Sequence, residues 1–258
     1  MLAMASLAVP YIACAQRGNP APSPKAAAPA DLTGYWVSVV TTEDQWLLRM
    51  AAPLKGNYAG IFLTPEGRKI ADGWDPAKDE AAGELCKAYG AGAIMMVPGH
   101  LHITWPDDST LRIDADAGRQ TRMLHFPGQT NLNAQPGQDG DPQLQGYSVA
   151  RWDTPGGRGT EAGEALYRKT GNALKVVTTR MRPGYLYKNG IPYSGNAVLT
   201  EYFNRVVEPS GEPKGETWLV VMMVLDDPQY LAESFIRTLY FKKLPDGSRW
   251  SPSACSAR

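Results

Sequence analysis

Histidine and cysteine are scarce in this chain, three of each in 258 residues. Cys86 and Cys255 have no histidine beside them, and two thiols alone cannot complete a tetrahedral zinc site. Net charge is also missing, with 26 Lys plus Arg against 26 Asp plus Glu. No general field therefore draws in nucleic acid or an anionic membrane. There is no dinucleotide fingerprint and no Gly-rich phosphate loop. The one glycine-rich basic stretch, Gly156-Gly157-Arg158-Gly159, opens no helix whose N-terminus would complete an anion site. No cofactor is expected. No long helical stripe occurs, and no apolar run reaches the roughly 18 residues of a membrane-spanning helix.

The first apolar run, 2–13, carries no charge and ends in Ala13-Cys14-Ala15, a small-residue exit. Residues 1–15 read as a secretory signal. An alternative is a lipoprotein signal acylated at Cys14. Residues 16–30 hold Pro20, Pro22, Pro24 and Pro29, a composition that cannot order itself and reads as a linker. A single folded domain is expected over 31–258; a chain of that size buries roughly three quarters of its unfolded surface. Once Cys14 leaves with the signal, Cys86 and Cys255 remain. In an oxidising compartment they suggest a disulfide, and the alternative is two separate thiols.

What is abundant is β-forming sequence. Segments 35–40, 45–50, 100–105, 110–116, 121–126, 146–152, 173–181, 197–207, 217–225 and 235–244 are rich in Val, Thr, Tyr, Phe and Trp. Pro106-Asp107-Asp108-Ser109 and Asp116-Ala117-Gly118 are hairpin connections. Connections this short cannot carry parallel crossovers. The fold class is all-β: an antiparallel meander closed into a lipocalin-like barrel, or a sandwich, with one short helix. That helix is expected over 76–89, with Asp75 as N-cap and Pro76 in the first turn. Stretches 126–144 and 153–171 are Gly-, Gln- and Pro-rich and read as irregular.

Strand parity sorts the polar residues. Arg122 shares a face with Leu124 and Phe126, and Glu201 with Leu199 and Phe203. Thr178 and Arg180 share one with Leu174 and Val176. If those faces line the interior, Arg122, Arg180 and Glu201 point inward. An unpaired buried charge costs several kcal/mol, so each needs a partner or a ligand. One reading is a structural ion pair between Arg122 and Glu201; the other is an anchor for a carboxylate, phenolate or sugar. His125 lies on the opposite face from Arg122 and is a candidate general base. His100 and His102 share a face and are candidate metal ligands. Ser148 lacks the second glycine of a nucleophile elbow. Tyr185 and Tyr193 crowd 182–194 and could rim a pocket for a ring-shaped or sugar ligand.

Several phrases resemble a group of exported bacterial proteins found in acidobacteria and proteobacteria. They include Gly146-Tyr147-Ser148-Val149-Ala150-Arg151-Trp152, Asn189-Gly190-Ile191-Pro192-Tyr193-Ser194 and Asp227-Pro228-Gln229-Tyr230. The resemblance covers roughly 63–243 and implies export and an all-β fold, with no reaction. Gly34-Tyr35-Trp36 is similar to the first-strand Gly-x-Trp of lipocalins, in which the Trp closes one end of the cup. Three functions remain open. The first is binding of a partly apolar small molecule in a barrel cavity by a periplasmic or secreted protein. The second is a lyase, isomerase or hydrolase using His125, Arg122 and Glu201. The third is a structural envelope protein with a filled core.

Overall fold

A computed structural model describes residues 21–40, 54–58, 60–127, 141–153, 173–207 and 215–257. The expected signal 1–15, the first part of the linker, the segment 45–50 and the glycines at 156–159 lie outside the described residues, as does most of 126–144 and 153–171.

The nine remaining segments expected as strands all form strands, and those nine close a barrel. They are β1 (Gly34–Ser38), β2 (His100–Thr104), β3 (Thr110–Ala115), β4 (Gln120–His125), β5 (Tyr147–Asp153), β6 (Ala173–Thr179), β9 (Val198–Val207), β10 (Thr217–Asp226) and β11 (Phe235–Lys243). Two-residue strands β7 (Gly184–Tyr185) and β8 (Pro192–Tyr193) form a separate ribbon. Around the barrel the order is β1-β11-β10-β9-β6-β5-β4-β3-β2. Strand directions cannot alternate all the way round a ring of nine, so one neighbouring pair must run parallel. That pair is β4–β5, joined through Leu124↔Ser148 and His125↔Val149. The barrel is therefore mixed rather than a pure meander.

Alternation fills the interior. Trp36, Ile103, Leu111, Leu124, Leu174, Leu199, Phe203, Val221, Leu239 and Phe241 are buried on the inward face. Full burial of such a side chain contributes about 1.5–3 kcal/mol. A barrel of eight or nine strands is narrow enough for side chains of this size to take up much of its interior.

The two ends close differently. At the base, where β1 begins and β11 ends, Trp105, Phe126 and Trp152 cluster at centroid separations of 5.4–6.4 Å. Trp36 Nε1 donates to the Leu32 carbonyl at 3.0 Å, and Lys243 Nζ sits 4.4 Å from the Trp36 ring centroid. Contacts to the barrel begin upstream of Asp31: Trp152 Nε1 donates to Pro24 O at 2.7 Å, and Lys25 N to Asp108 O.

At the mouth, where β1 ends and β2 begins, the segment before β2 and the β7–β8 ribbon form a cap. Helical structure here exceeds the one helix expected. Helix α1 is Pro65–Gly73, α2 is Pro76–Ala81 and α3 is Ala91–Ile94, with a 3-10 turn at Lys87–Tyr89. The helix expected over 76–89 thus stops at Ala81, because the chain turns through a left-handed Gly83. Helix α1 carried a legible signal: Thr64 caps the Gly67 amide, Pro65 opens the helix and Glu66 sits in its first turn. Its Gly67 packs on the Tyr230 carbonyl so closely that a methyl there would collide.

The cap is pinned by Asp227. Its carboxylate accepts from Ser194 N at 2.6 Å, Ser194 Oγ at 2.8 Å and Gln229 N at 3.1 Å. Cys86 of the cap and Cys255 of the C-terminal tail form a disulfide, with Cα atoms 5.1 Å apart and the two residues 169 positions apart in sequence. No helix of the described residues is long and apolar enough to cross a membrane.

Candidate functional site

Inside the barrel, Arg122 on β4 faces Glu201 on β9. Arg122 Nη1 donates to Glu201 Oε1 at 2.9 Å and Nη2 to Oε2 at 2.5 Å. The side chains are 2% and 0% exposed. Nη2 also donates to Thr178 Oγ1 at 3.3 Å, and Thr178 and Ser148 share a hydroxyl hydrogen bond of 2.7 Å. Four strands thus contribute one polar layer within an apolar core. A bidentate, fully desolvated pair of this kind uses the fork geometry of arginine. Arg122 Nε has no hydrogen-bond partner among the described residues. Ser148 is buried in this layer and bonds a threonine rather than a base, which leaves no nucleophile arrangement.

Arg180, expected to point inward with Arg122 and Glu201, does not join this layer, and the histidines lie elsewhere. β6 ends at Thr179, and Arg180 has φ +56°, which breaks the alternation that would have carried it inward. It sits beyond the strand end, where its carbonyl accepts from Gln143 N. His125 is on the outer face and stacks on Tyr147 with centroids 5.1 Å apart. The barrel wall separates it from Glu201, so these two form no acid–base pair. His100 and His102 share the outer face of β2, but each is engaged separately. His100 Nδ1 lies 2.7 Å from Asp116 Oδ2, and His102 stacks on Tyr35 at 4.1 Å. Among the described residues, no group of three His, Cys, Asp or Glu is arranged to hold a metal.

The tyrosines divide. Tyr193 is fully buried in the cap, and its hydroxyl has no partner among the described residues. Burial raises its phenol pKa above the ordinary range. Tyr185 instead lines a cleft of about 480 Å³ at the mouth, together with Trp74, Asp75, Lys78, Asp79 and Lys69. Asp79 is held by Lys87 Nζ at 2.7 Å, and the Tyr185 hydroxyl reaches Asp79 Oδ1 at 3.4 Å. Burial, and then the Asp79 charge, raise the Tyr185 pKa, so this phenol remains a neutral donor. The cleft sets the Trp74 and Tyr185 rings among three carboxylates, Glu66, Asp75 and Asp79, and two lysines, Lys69 and Lys78, so it is more polar than a usual small-molecule pocket. Asp79, Lys87 and Trp74 were not singled out by sequence. Asp79 and Lys87 read as ordinary helix-surface charges there, and only Tyr185 signalled the pocket.

The fold and clefts define a closed, nine-stranded mixed barrel with a capped mouth. No protein-family model matches the chain, no curated protein matches it, and no solved structure matches it.

Proposed function

We propose that this is an exported small-ligand-binding barrel whose partly apolar ligand occupies the mouth cleft rather than the centre of the barrel. One observation carries the reading: a nearly buried carboxylate, Asp79, lines an open cleft between Trp74 and Tyr185. Lys87 pairs with Asp79, and Glu66 and Asp75 are balanced in number by Lys69 and Lys78, so the cleft carries no net charge. A neutral ring bearing hydroxyl groups, as in a sugar, suits it. The hydroxyls donate to Asp79, and the ring's apolar face lies on the aromatic walls. A volume of about 480 Å³ falls in the usual range for such sites.

Export belongs to the same proposal, with the mature chain periplasmic or secreted, as in the exported bacterial group it resembles. The apolar segment 2–13 and the Cys86–Cys255 disulfide support it. Anchoring through acylated Cys14 is the variant of that route. The packed interior makes the barrel a scaffold, with Trp36 closing its base in lipocalin-like fashion.

The test is a thermal-shift screen of the mature chain against neutral mono- and disaccharides. At a hundredfold excess over Kd, a ligand adds about 2.7 kcal/mol, or roughly 5–10 °C in Tm. Tyr185→Ala is expected to abolish the shift. A panel without a single responder, or a shift that survives Tyr185→Ala, would overturn the proposal.

A further inference from the structure

The outer wall of the barrel carries a second cleft, of about 600 Å³, on the side away from the strands that bear Glu201. Its floor is one row of side chains crossing four strands. The registers Tyr35↔His102, His102↔Asp114 and Asp114↔Thr121 align these residues on the solvent face. Tyr35 and His102 stack with an interplanar angle of 4°, and Trp250 of the tail meets both rings edge-on at 6.1 and 6.3 Å. The result is an aromatic corner. Among the described residues no hydrogen bond is made to the His102 ring.

Two arginines flank the corner. Arg112 engages Asp114 through Nε at 3.0 Å, which leaves its terminal nitrogens outside that bond. Arg119 is exposed and lines the same cleft. It has φ +51°, a conformation disfavoured for a residue with a Cβ. Against two guanidinium groups the cleft sets one carboxylate, Asp114, itself occupied by Arg112 and by Thr121 Oγ1 at 2.6 Å. The surplus charge is positive.

The tail that supplies Trp250 is fastened in place. Ser253 N donates to the Asp116 carbonyl at 2.9 Å, and Ser251 N to Asp116 Oδ2 at 3.3 Å. The Cys255 disulfide then locks the chain end to the cap. A C-terminal segment with no secondary structure of its own is thus held as the wall of a cleft.

We propose that this cleft is a binding site for a small carboxylate attached to a flat or pyranose ring. The ring packs in the Tyr35–His102–Trp250 corner, and the carboxylate is taken by Arg119 with the terminal nitrogens of Arg112. The site is independent of the mouth cleft, which presents no excess positive charge.

Isothermal titration of the full mature protein with benzoate, glucuronate and the neutral isostere benzamide tests the idea. At least one of the two carboxylates is expected to bind, with benzamide at least tenfold weaker. Benzoate alone would point to an aromatic ring, and glucuronate alone to a sugar ring. Arg119→Asn removes the charge while keeping a residue that tolerates the left-handed backbone; it is expected to weaken the carboxylate at least tenfold. Trp250→Ala is expected to do the same by removing the wall. Tyr185→Ala is expected to leave this binding unchanged, which separates failure here from failure at the mouth. The proposal is overturned if neither carboxylate binds at millimolar concentration. It is equally overturned if benzamide matches benzoate, or if Arg119→Asn binds as the parent does.

Discussion

Two ion pairs stand in contrast. Arg122 and Glu201 in the barrel are 2% and 0% exposed, whereas Lys87 and Asp79 in the cap retain 29% and 10%. The first pair joins residues 79 apart in sequence, brought together only by strand register; the second joins residues eight apart in one irregular segment. Both arginine terminal nitrogens are already committed to Glu201, and packed side chains surround them. A ligand arriving there would have to displace a desolvated bidentate pair. In the cap, the same chemistry faces a cleft, and the Asp79 carboxylate retains lone pairs toward it. Burial therefore decides the role: a charge sealed on all sides holds the fold, and a charge sealed on most sides remains available to a partner.

The largest way to disturb this contrast is to free the cap. Removing the disulfide with Cys86→Ser or Cys255→Ser releases a 169-residue closure. The expected loss is up to about 5 kcal/mol by loop entropy, reduced by whatever structure the unfolded chain keeps. Denaturant unfolding of each variant measures it. A loss under about 1 kcal/mol would mean that Asp227 and Asp116 fasten cap and tail without the staple.

Next comes the interior pair. Arg122→Ala and Glu201→Ala should each cost about 3–5 kcal/mol, since each leaves a lone buried charge. Replacing both with Met should recover most of that loss, because the desolvation cost disappears along with the attraction. Lys87→Met in the cap should cost about 1 kcal/mol or less, since its pair is partly solvated. If the double variant is as unstable as the singles combined, the polar layer contributes more than mutual neutralisation.

The barrel was legible because β structure writes a period of two into the sequence. Arg122 and Glu201 each sat among large apolar residues at that spacing, so inward placement and mutual pairing followed from parity. Parity also put His125 outside, where it stacks on Tyr147. It failed at Arg180, where a left-handed residue one position past the strand end cancels the alternation. The cap was largely illegible. Its backbone is held by contacts between distant segments, such as Asp227 with Ser194 and Thr64 with Tyr230, and no local period encodes them. Asp79 and Lys87 had no apolar stripe to mark them, so the mouth cleft was visible only through its tyrosine. The outer cleft was hidden for a similar reason. His102 and Arg112 were visible as strand residues, but Trp250 reaches them only because a tail is strapped there.

The smallest effect probes the cap's own core. Tyr193 is fully buried, and its hydroxyl lacks a partner among the described residues. An unsatisfied buried hydroxyl costs about 1–3 kcal/mol of desolvation. Tyr193→Phe deletes that group with little change of shape, so the variant should be more stable at pH 7 by about 1 kcal/mol. The pH dependence has a definite sign. Burial raises this phenol's pKa in the folded state above the ordinary value of 10.0. From about pH 10 upward the unfolded chain loses the phenolic proton while the folded chain keeps it. The folded state then binds more protons, and stability falls as pH rises. Phenylalanine has no such proton, so the advantage of the variant should widen between pH 9 and pH 11. Tyr185 and Lys243 titrate in both proteins and cancel in the difference. Paired denaturant titrations at pH 7, 9 and 11 give the comparison. A variant less stable than the parent at pH 7 by 1 kcal/mol or more would show that the hydroxyl is satisfied, by bound water for example. The cap core would then be as well matched as the barrel's.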